Sequence, residues 1–157
     1  MAFTWVEASQ KPVFLEEIIQ FFWNAWGTRD NYLFYKDCIE HSLDSSIDLP
    51  KFYLLLEDGE IIGSYALLIN DLISRQDLFP WLACLYVRPE ARGHRVGEQM
   101  LNHACEEAKK KGYSHLYLCS TLEGYYEKAG WNFFGNGYGV DGTHTKIYAK
   151  AIGGGWE

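Results

Sequence analysis

The chain has 157 residues, 48% hydrophobic and 22% charged, with a net charge of −7. That length suits a single domain whose core holds without disulfide staples, and the balance is that of an ordinary globular protein. The acidic charge argues against a nucleic-acid partner, which needs a basic face, and no apolar run reaches the roughly eighteen residues of a membrane span.

Aromatic residues make up 17%, with six Trp and eleven Tyr, so large flat side chains build the core or a cleft. The four cysteines, Cys38, Cys84, Cys105 and Cys119, form no CxxC pair, and no Cys/His cluster has zinc spacing. Cys84, Cys105 and Cys119 sit in apolar patterns and are expected as buried free thiols; no metal is expected. The opening "MAFTWVEASQKP" lacks the basic-then-apolar pattern of a secretory signal, and the expected location is a reducing, cytoplasmic one.

In chain order, "TWVEA" is a short strand. Residues 11–26 form a helix with Pro12 near its first turn and Phe14, Ile18, Phe21 and Phe22 at helical spacing. Asn31 to Ser42 is a second helix, with Tyr32, Tyr35 and Ile39 on one side. "KFYLLLED" and "EIIGSYALLIN" are strands joined at Asp58-Gly59, a strong hairpin signal. "PWLACLYV" is apolar at every position, as a central strand covered on both faces would be. Val96 to Lys111 is a helix, apolar at Val96, Met100, Leu101, Ala104 and Ala108 and ended by Gly112. "SHLYLCS" is a strand, and Leu122 to Ala129 a short helix stopped by Gly130. "WNFFG" and "HTKIYAKAI" are the last strands, joined through the glycine-rich turn "GNGYGVDGTH". A hairpin-rich first half thus feeds a right-handed β-α-β crossover. The fold class is α/β, a mixed, mostly antiparallel sheet with helices on both faces. Residues 1–152 are expected as one domain and 153–157, "GGGWE", as a flexible tail.

The chemistry concentrates in "LYVRPEARGHRVGEQML", residues 85–101. A helix N-terminus offers unpaired N–H groups and the positive end of its dipole. Gly93 lets the backbone approach a ligand, Gly97 removes a side chain from the first turn, and Arg92 and Arg95 add mobile positive charge. Strand, glycine-containing loop and helix start together suit a pyrophosphate. An ordinary solvated basic loop is the alternative. Neither GxGxxG nor GK[ST] is present, so this is neither a dinucleotide fingerprint nor a Walker A loop.

This stretch resembles the acetyl-CoA-binding motif of the GNAT N-acetyltransferase family, [R/Q]-x-x-G-x-[G/A] after a strand. Arg92 matches its first position and Gly97 its last, while Arg95 stands where the family has glycine. If Arg95 is in the αR region its Cβ need not clash, and its guanidinium can help to hold a phosphate. The element order is also similar to the GNAT fold throughout. The resemblance implies that acetyl-CoA is the cosubstrate. Backbone N–H groups of Gly93, His94, Arg95, Val96, Gly97 and Glu98 would cradle its pyrophosphate. Backbone groups of Leu85, Tyr86 and Val87 would pair with the pantetheine arm, and "LYLCS" would splay from "LACLYV" to admit the thioester.

"GYYEKAGW" is similar to the family's Y-E-K-x-G-[F/W] segment. The resemblance implies that Tyr126 donates a proton to the departing thiolate, a role a phenol with pKa near 10 can fill at neutral pH. Tyr125 is expected to pack into the core, and Trp131 and Lys128 to be structural. The strand "PWLACLYV" holds no acid, so no base is assigned. Asp71 and Asp77 are candidates, with solvated loop positions as the ordinary expectation, as are water and an amine of low pKa. Trp23, Trp26 and Tyr32 are candidates to wall an acceptor pocket, and Glu40 or Asp37 to pair with a cation; core and surface roles are the alternatives. His94, His103, His115 and His144 are expected at the surface.

The implied activity is acetyl transfer to a primary amine of a small molecule or peptide, by direct attack in a ternary complex. The alternatives are an acyl-CoA-binding or sensing module without catalysis, and a relative that has lost the cofactor. Partners are then the amine acceptor, with no nucleic acid and no membrane. The oligomeric state is left open, a homodimer included.

Overall fold

Seven strands form one sheet in the order β1-β2-β3-β4-β5-β7-β6 in a computed structural model that describes residues 3–153. The strands are β1 (Phe3–Glu7), β2 (Lys51–Glu57), β3 (Glu60–Leu68), β4 (Trp81–Val87), β5 (His115–Ser120), β6 (Asn132–Tyr138) and β7 (His144–Ala151). The helices are α1 (Leu15–Trp26), α2 (Tyr32–His41), α3 (Val96–Lys110) and α4 (Tyr125–Lys128). The β1/β2, β5/β7 and β6/β7 pairs are antiparallel, and β4 and β5, joined through α3, are parallel. This is the mixed, mostly antiparallel arrangement expected.

The chain divides into two compact units. The first holds residues up to Ala66 together with Cys84–Met100. In it α1 buries Ile18, Ile19, Phe21 and Phe22, the stripe that its apolar spacing dictates. Phe14 was expected in that stripe but is 47% exposed, because Pro12–Phe14 is a separate 3-10 turn and the helix starts at Leu15. Phe22 meets Phe52 edge-on at 5.1 Å, and Tyr53 stacks on Tyr65 at 4.6 Å. The predicted hairpin forms at Asp58 and Gly59, both with positive φ. A Cβ on Gly63 would stand 2.9 Å from Met100 Sδ and 3.0 Å from the Tyr86 carbonyl, so the first turns of α3 approach β3 through the absence of a side chain.

The second unit comprises Leu67–Ala83 and the chain from Leu101. Ile73, Trp81 and Ile147 form a buried cluster, with Leu68, Leu78, Tyr117 and Cys119 packed against it. Register places Cys119 opposite Ile147 and Leu118 opposite Tyr148. Since side chains alternate along a strand, each pair lies on its own face of the sheet.

Several expectations need correction. β4 is buried only over Trp81–Ala83; Cys84–Val87 are half-buried, so continuous apolar sequence did not mean cover on both faces throughout. Cys84, Cys105 and Cys119 form no disulfide but are half-buried, not buried. The short late helix spans only Tyr125–Lys128, since Gly124 takes a left-handed φ of 85° before it. The glycine-rich "GNGY" is β6 strand, and the turn itself is confined to residues 139–143. Of the expected tail, Gly153 donates to the Ser114 carbonyl at 3.1 Å, and residues 154–157 lie outside the described residues. Among the described residues no helix is long and apolar enough to cross a membrane.

Leu55 on β2 is fully buried. Leu55→Ala should therefore destabilise the chain by about 2–5 kcal/mol, read by chemical denaturation.

Candidate cofactor cradle and acid site

The end of β4 runs into a 3-10 turn at Pro89–Ala91 and then into α3. Ala91 and Val96 are buried at 9% and 2% exposure, while Arg92, Gly93, His94 and Arg95 between them are exposed. Two apolar anchors thus fix the ends of a four-residue loop that stands in solvent. Gly93 has φ 97°, and nothing lies within 4 Å of where a Cβ would stand. Arg95 has φ 58° and passes straight into the helix at Val96. A left-handed residue followed by a right-handed one turns successive N–H groups toward one side, the geometry of an anion-binding nest. The Arg95 carbonyl accepts the helix bond from Gln99 at 3.0 Å, so the N–H groups of Val96, Gly97 and Glu98 open the first turn without intrahelical partners. These residues fit a phosphate-bearing group.

The two arginines differ from expectation. Arg95 is left-handed, not αR, so the condition under which its Cβ would be free of strain is not met. Its guanidinium is exposed and 3.9 Å from Glu98. Arg92 is not a mobile charge. Its Nε donates to the Val87 carbonyl at 2.8 Å, and its guanidinium lies 5.7 Å over the Tyr86 ring. It ties the loop back to the strand that precedes it. Leu85, Tyr86 and Val87 are all half-buried, with Tyr86 held edge-on by Phe21 at 5.8 Å and Trp26 at 6.5 Å.

Sequence reasoning missed the middle of β4. Cys84 has φ 54°, a left-handed residue inside a strand. Its carbonyl accepts from the buried Ser64 hydroxyl at 3.1 Å. An apolar run gives no sign of this, because the conformation belongs to the backbone and not to residue type.

The second unit carries the tyrosine. Tyr126 is 9% exposed and Tyr125 46% exposed, so Tyr125 does not pack into the core and Tyr126 does. Tyr126 packs on Tyr148 at 5.7 Å, with the Ser120 side chain near its hydroxyl. Burial, foremost, raises its pKa above the usual phenol value. Trp131 is 1% exposed and belongs to the core, whereas Lys128 is exposed. Burial also pushes the Cys119 thiol up to about 12 and Cys105 up to about 11, which leaves both as neutral thiols and poor nucleophiles.

The candidate bases separate. Asp77 takes a bidentate pair from Arg75 at 2.9 and 2.8 Å and is the solvated loop residue expected. Asp71 is not: it is half-buried, and burial alone pushes its carboxyl up to about 6. The sequence signal was its setting between Ile69-Asn70 and Leu72-Ile73. Glu40 pairs with Lys36, and Asp37 lies 3.2 Å from His41, so both are in surface ion pairs. Trp23 and Tyr32 contact each other at 5.3 Å, and Trp26 is 46% exposed. His94, His115 and His144 are exposed, and His103 is half-buried beside Glu107.

The model of the Acetyltransferase (GNAT) family matches residues 13–131. The chain belongs to that family. This GNAT chain is similar to the amino-acid acetyltransferase of Aeromonas salmonicida (strain A449), 29% identical over 75 residues that cover 48% of this chain and 16% of that protein. It therefore matches only a small part of that relative's length. Among solved structures it is similar to aminoglycoside 6'-acetyltransferase type Ii, with a TM-score of 0.70, 18% identity and 97% of each chain covered. It is also similar to a GNAT acetyltransferase from Elizabethkingia anophelis with acetyl-CoA bound, with a TM-score of 0.65, 16% identity, and 95% and 97% covered. At such identities the likeness is one of fold.

Two outcomes follow from the strained or buried groups. Arg95→Gly should leave stability unchanged or raise it by up to about 1 kcal/mol, since relief of the left-handed strain outweighs the extra chain entropy of glycine. A clear loss of stability on thermal denaturation would contradict the left-handed assignment. Asp71 binds its proton more tightly folded than unfolded, so its burial costs nothing below about pH 4 and its full amount above about pH 6. Asp71→Asn should match the parent chain near pH 3 and exceed its stability at pH 7 by on the order of 2 kcal/mol.

Proposed function

We propose that this chain transfers an acetyl group from acetyl-CoA to a primary amine of a small molecule or peptide, by direct attack and without a covalent enzyme intermediate. The observation that carries the proposal is the exposed Gly93–Arg95 loop, held between buried Ala91 and Val96 at the start of α3. The backbone N–H groups of Gly93 to Glu98 hold the pyrophosphate, and main-chain groups of Leu85 to Val87 hold the pantetheine arm. The Val87 carbonyl already accepts from Arg92, so the arm's pairing falls to the remaining groups of that stretch unless the arginine releases it.

When bound, the thioester supplies an acyl carbon open to attack and a thiolate leaving group. The amine nitrogen bonds to that carbon as the carbon–sulfur bond breaks, and one proton leaves the nitrogen while another reaches the sulfur. Tyr126 gives the sulfur its proton, and the proton that leaves the nitrogen restores the phenol through water. A phenol buried as this one is stays protonated at neutral pH and is ready to donate. Two of the four cysteines, Cys105 and Cys119, are held neutral by burial, which disfavours them as covalent nucleophiles and supports direct attack.

Tyr126→Phe should lower turnover by about 100-fold or more while acetyl-CoA affinity, measured by calorimetry, changes little. Gly93→Asp should abolish that binding by placing a like charge in the cradle. Failure of the unaltered chain to bind acetyl-CoA would overturn the proposal. Binding without amine-dependent thiol release, over a screen of amines, would reduce it to an acyl-CoA-binding module.

A further inference from the structure

We propose that Asp71, on the turn that follows β3, receives the ammonium group of the acceptor and takes its proton; the inference deepens the acetyltransferase reading and rests on it. The turn is built to hold this one carboxylate. Asn70 Oδ1 accepts from the Ile73 backbone N–H at 3.1 Å, closing the turn around Asp71. Leu72 takes a left-handed φ of 55° although it is a bulky residue, a conformation that persists only where the surroundings enforce it. Ile73, 5% exposed, anchors the far end in the cluster with Trp81 and Ile147 and bridges to Gly139. These contacts fix the backbone of the turn that carries Asp71.

What surrounds the carboxylate is incomplete for an anion. Arg75, the cation of the same loop, is committed to Asp77. The titratable neighbour that faces Asp71 from β5 is Cys119, a neutral thiol that offers no counter-charge. Asn70 Nδ2 beside it is buried with no protein partner. A half-buried carboxylate with no cation beside it among the described residues is costly, and a primary ammonium group, with a positive charge and three N–H donors, is the ligand that matches it. The neighbouring Asn70 amide adds a donor for an oxygen carried by the same acceptor.

β5 relates this carboxylate to the acid. Cys119, which faces Asp71, lies on the Ile147 face of the sheet. Tyr126 packs on Tyr148, the partner of Leu118, on the opposite face. Proton acceptor and proton donor thus stand toward different faces of one strand. The step balances simply. The Asp71 carboxylate takes one proton from R–NH3+, giving R–NH2 and a carboxylic acid that passes the proton to water once product has left; the second proton, lost from nitrogen after attack, reaches the Tyr126 phenolate through water. Burial supports the role by raising the carboxyl to about 6, which keeps it ionised at neutral pH yet more basic than an exposed aspartate.

The test is an NMR titration of the Asp71 carboxyl carbon in the unaltered full chain. In methylammonium chloride its proton affinity should fall at least about threefold relative to tetramethylammonium chloride of equal strength, since only the primary ammonium carries N–H donors. Equal titration in the two salts overturns the proposal. Calorimetry keeps this separate from the parent reading. Asp71→Asn should still bind acetyl-CoA as the unaltered chain does, and its loss of that binding would count against a role on the amine side. If the unaltered chain fails to bind acetyl-CoA, the acetyltransferase reading falls while the ammonium titration still decides what Asp71 recognises.

Discussion

Ala91 and Val96 leave solvent, and the four residues between them cannot follow. That constraint governs the candidate cofactor site. The apolar anchors leave too short a loop to relax, so the backbone turns through left-handed conformations at Gly93 and Arg95, and the first amides of α3 are left unpaired. Arg92 then reaches back to Val87 and removes the remaining freedom of the loop against its own strand. On the proposed reading, a loop preformed in this way loses little entropy when a phosphate fills it, which is how modest hydrogen bonds become useful binding energy.

The same economy of backbone serves the second unit. β5 offers alternating side chains to opposite faces of the sheet, and its last residues, Cys119 and Ser120, serve two environments. Ser120 lies near the hydroxyl of Tyr126, and Cys119 presents a neutral thiol toward Asp71. Burial acts on both ionisable groups in the same direction, keeping a proton on the phenol and strengthening the carboxylate's hold on one. On the proposed reading one physical cause prepares an acid and a base, because one group is to be used protonated and the other ionised.

How much of this was legible follows from which signals are carried by side chains. Strands, helices and the Asp58-Gly59 hairpin were readable because apolar period and turn chemistry are properties of residue type. The loop after β4 was readable because glycines flanked by arginines at a strand–helix junction are a chemical pattern. The conformation of Arg95 was not, since arginine prefers the right-handed region and only the anchoring of Ala91 and Val96 overrides that preference. Nor was Tyr125 against Tyr126, where two identical residues differ only in which side of a one-turn helix they take. Asp71 was misjudged for a related reason: a charged residue in a loop is ordinarily solvated, and its withdrawal from water depends on the closure of the turn by Asn70 and Ile73.

Among the described residues the non-glycine residues with positive φ are Asp58, Leu72, Cys84 and Arg95. Asp58 is explained by its hairpin. The other three adjoin Asp71, interrupt β4 and open α3. A left-handed residue that is not glycine costs about 1–2 kcal/mol, so three of them away from any hairpin represent a substantial fraction of a small domain's stability. Folding alone gives no reason to keep them, because a glycine or a regular strand would serve at each position at lower cost. They are intelligible as fixed directions: of a carboxylate, of a strand's main chain and of a helix's first amides. The Ser64 hydroxyl on the Cys84 carbonyl fits that view, since a buried side chain is committed to holding a conformation that the strand would otherwise relax. The strain lies where the chemistry is proposed, and the well-packed stripes of α1 and β2 supply the stability that tolerates it.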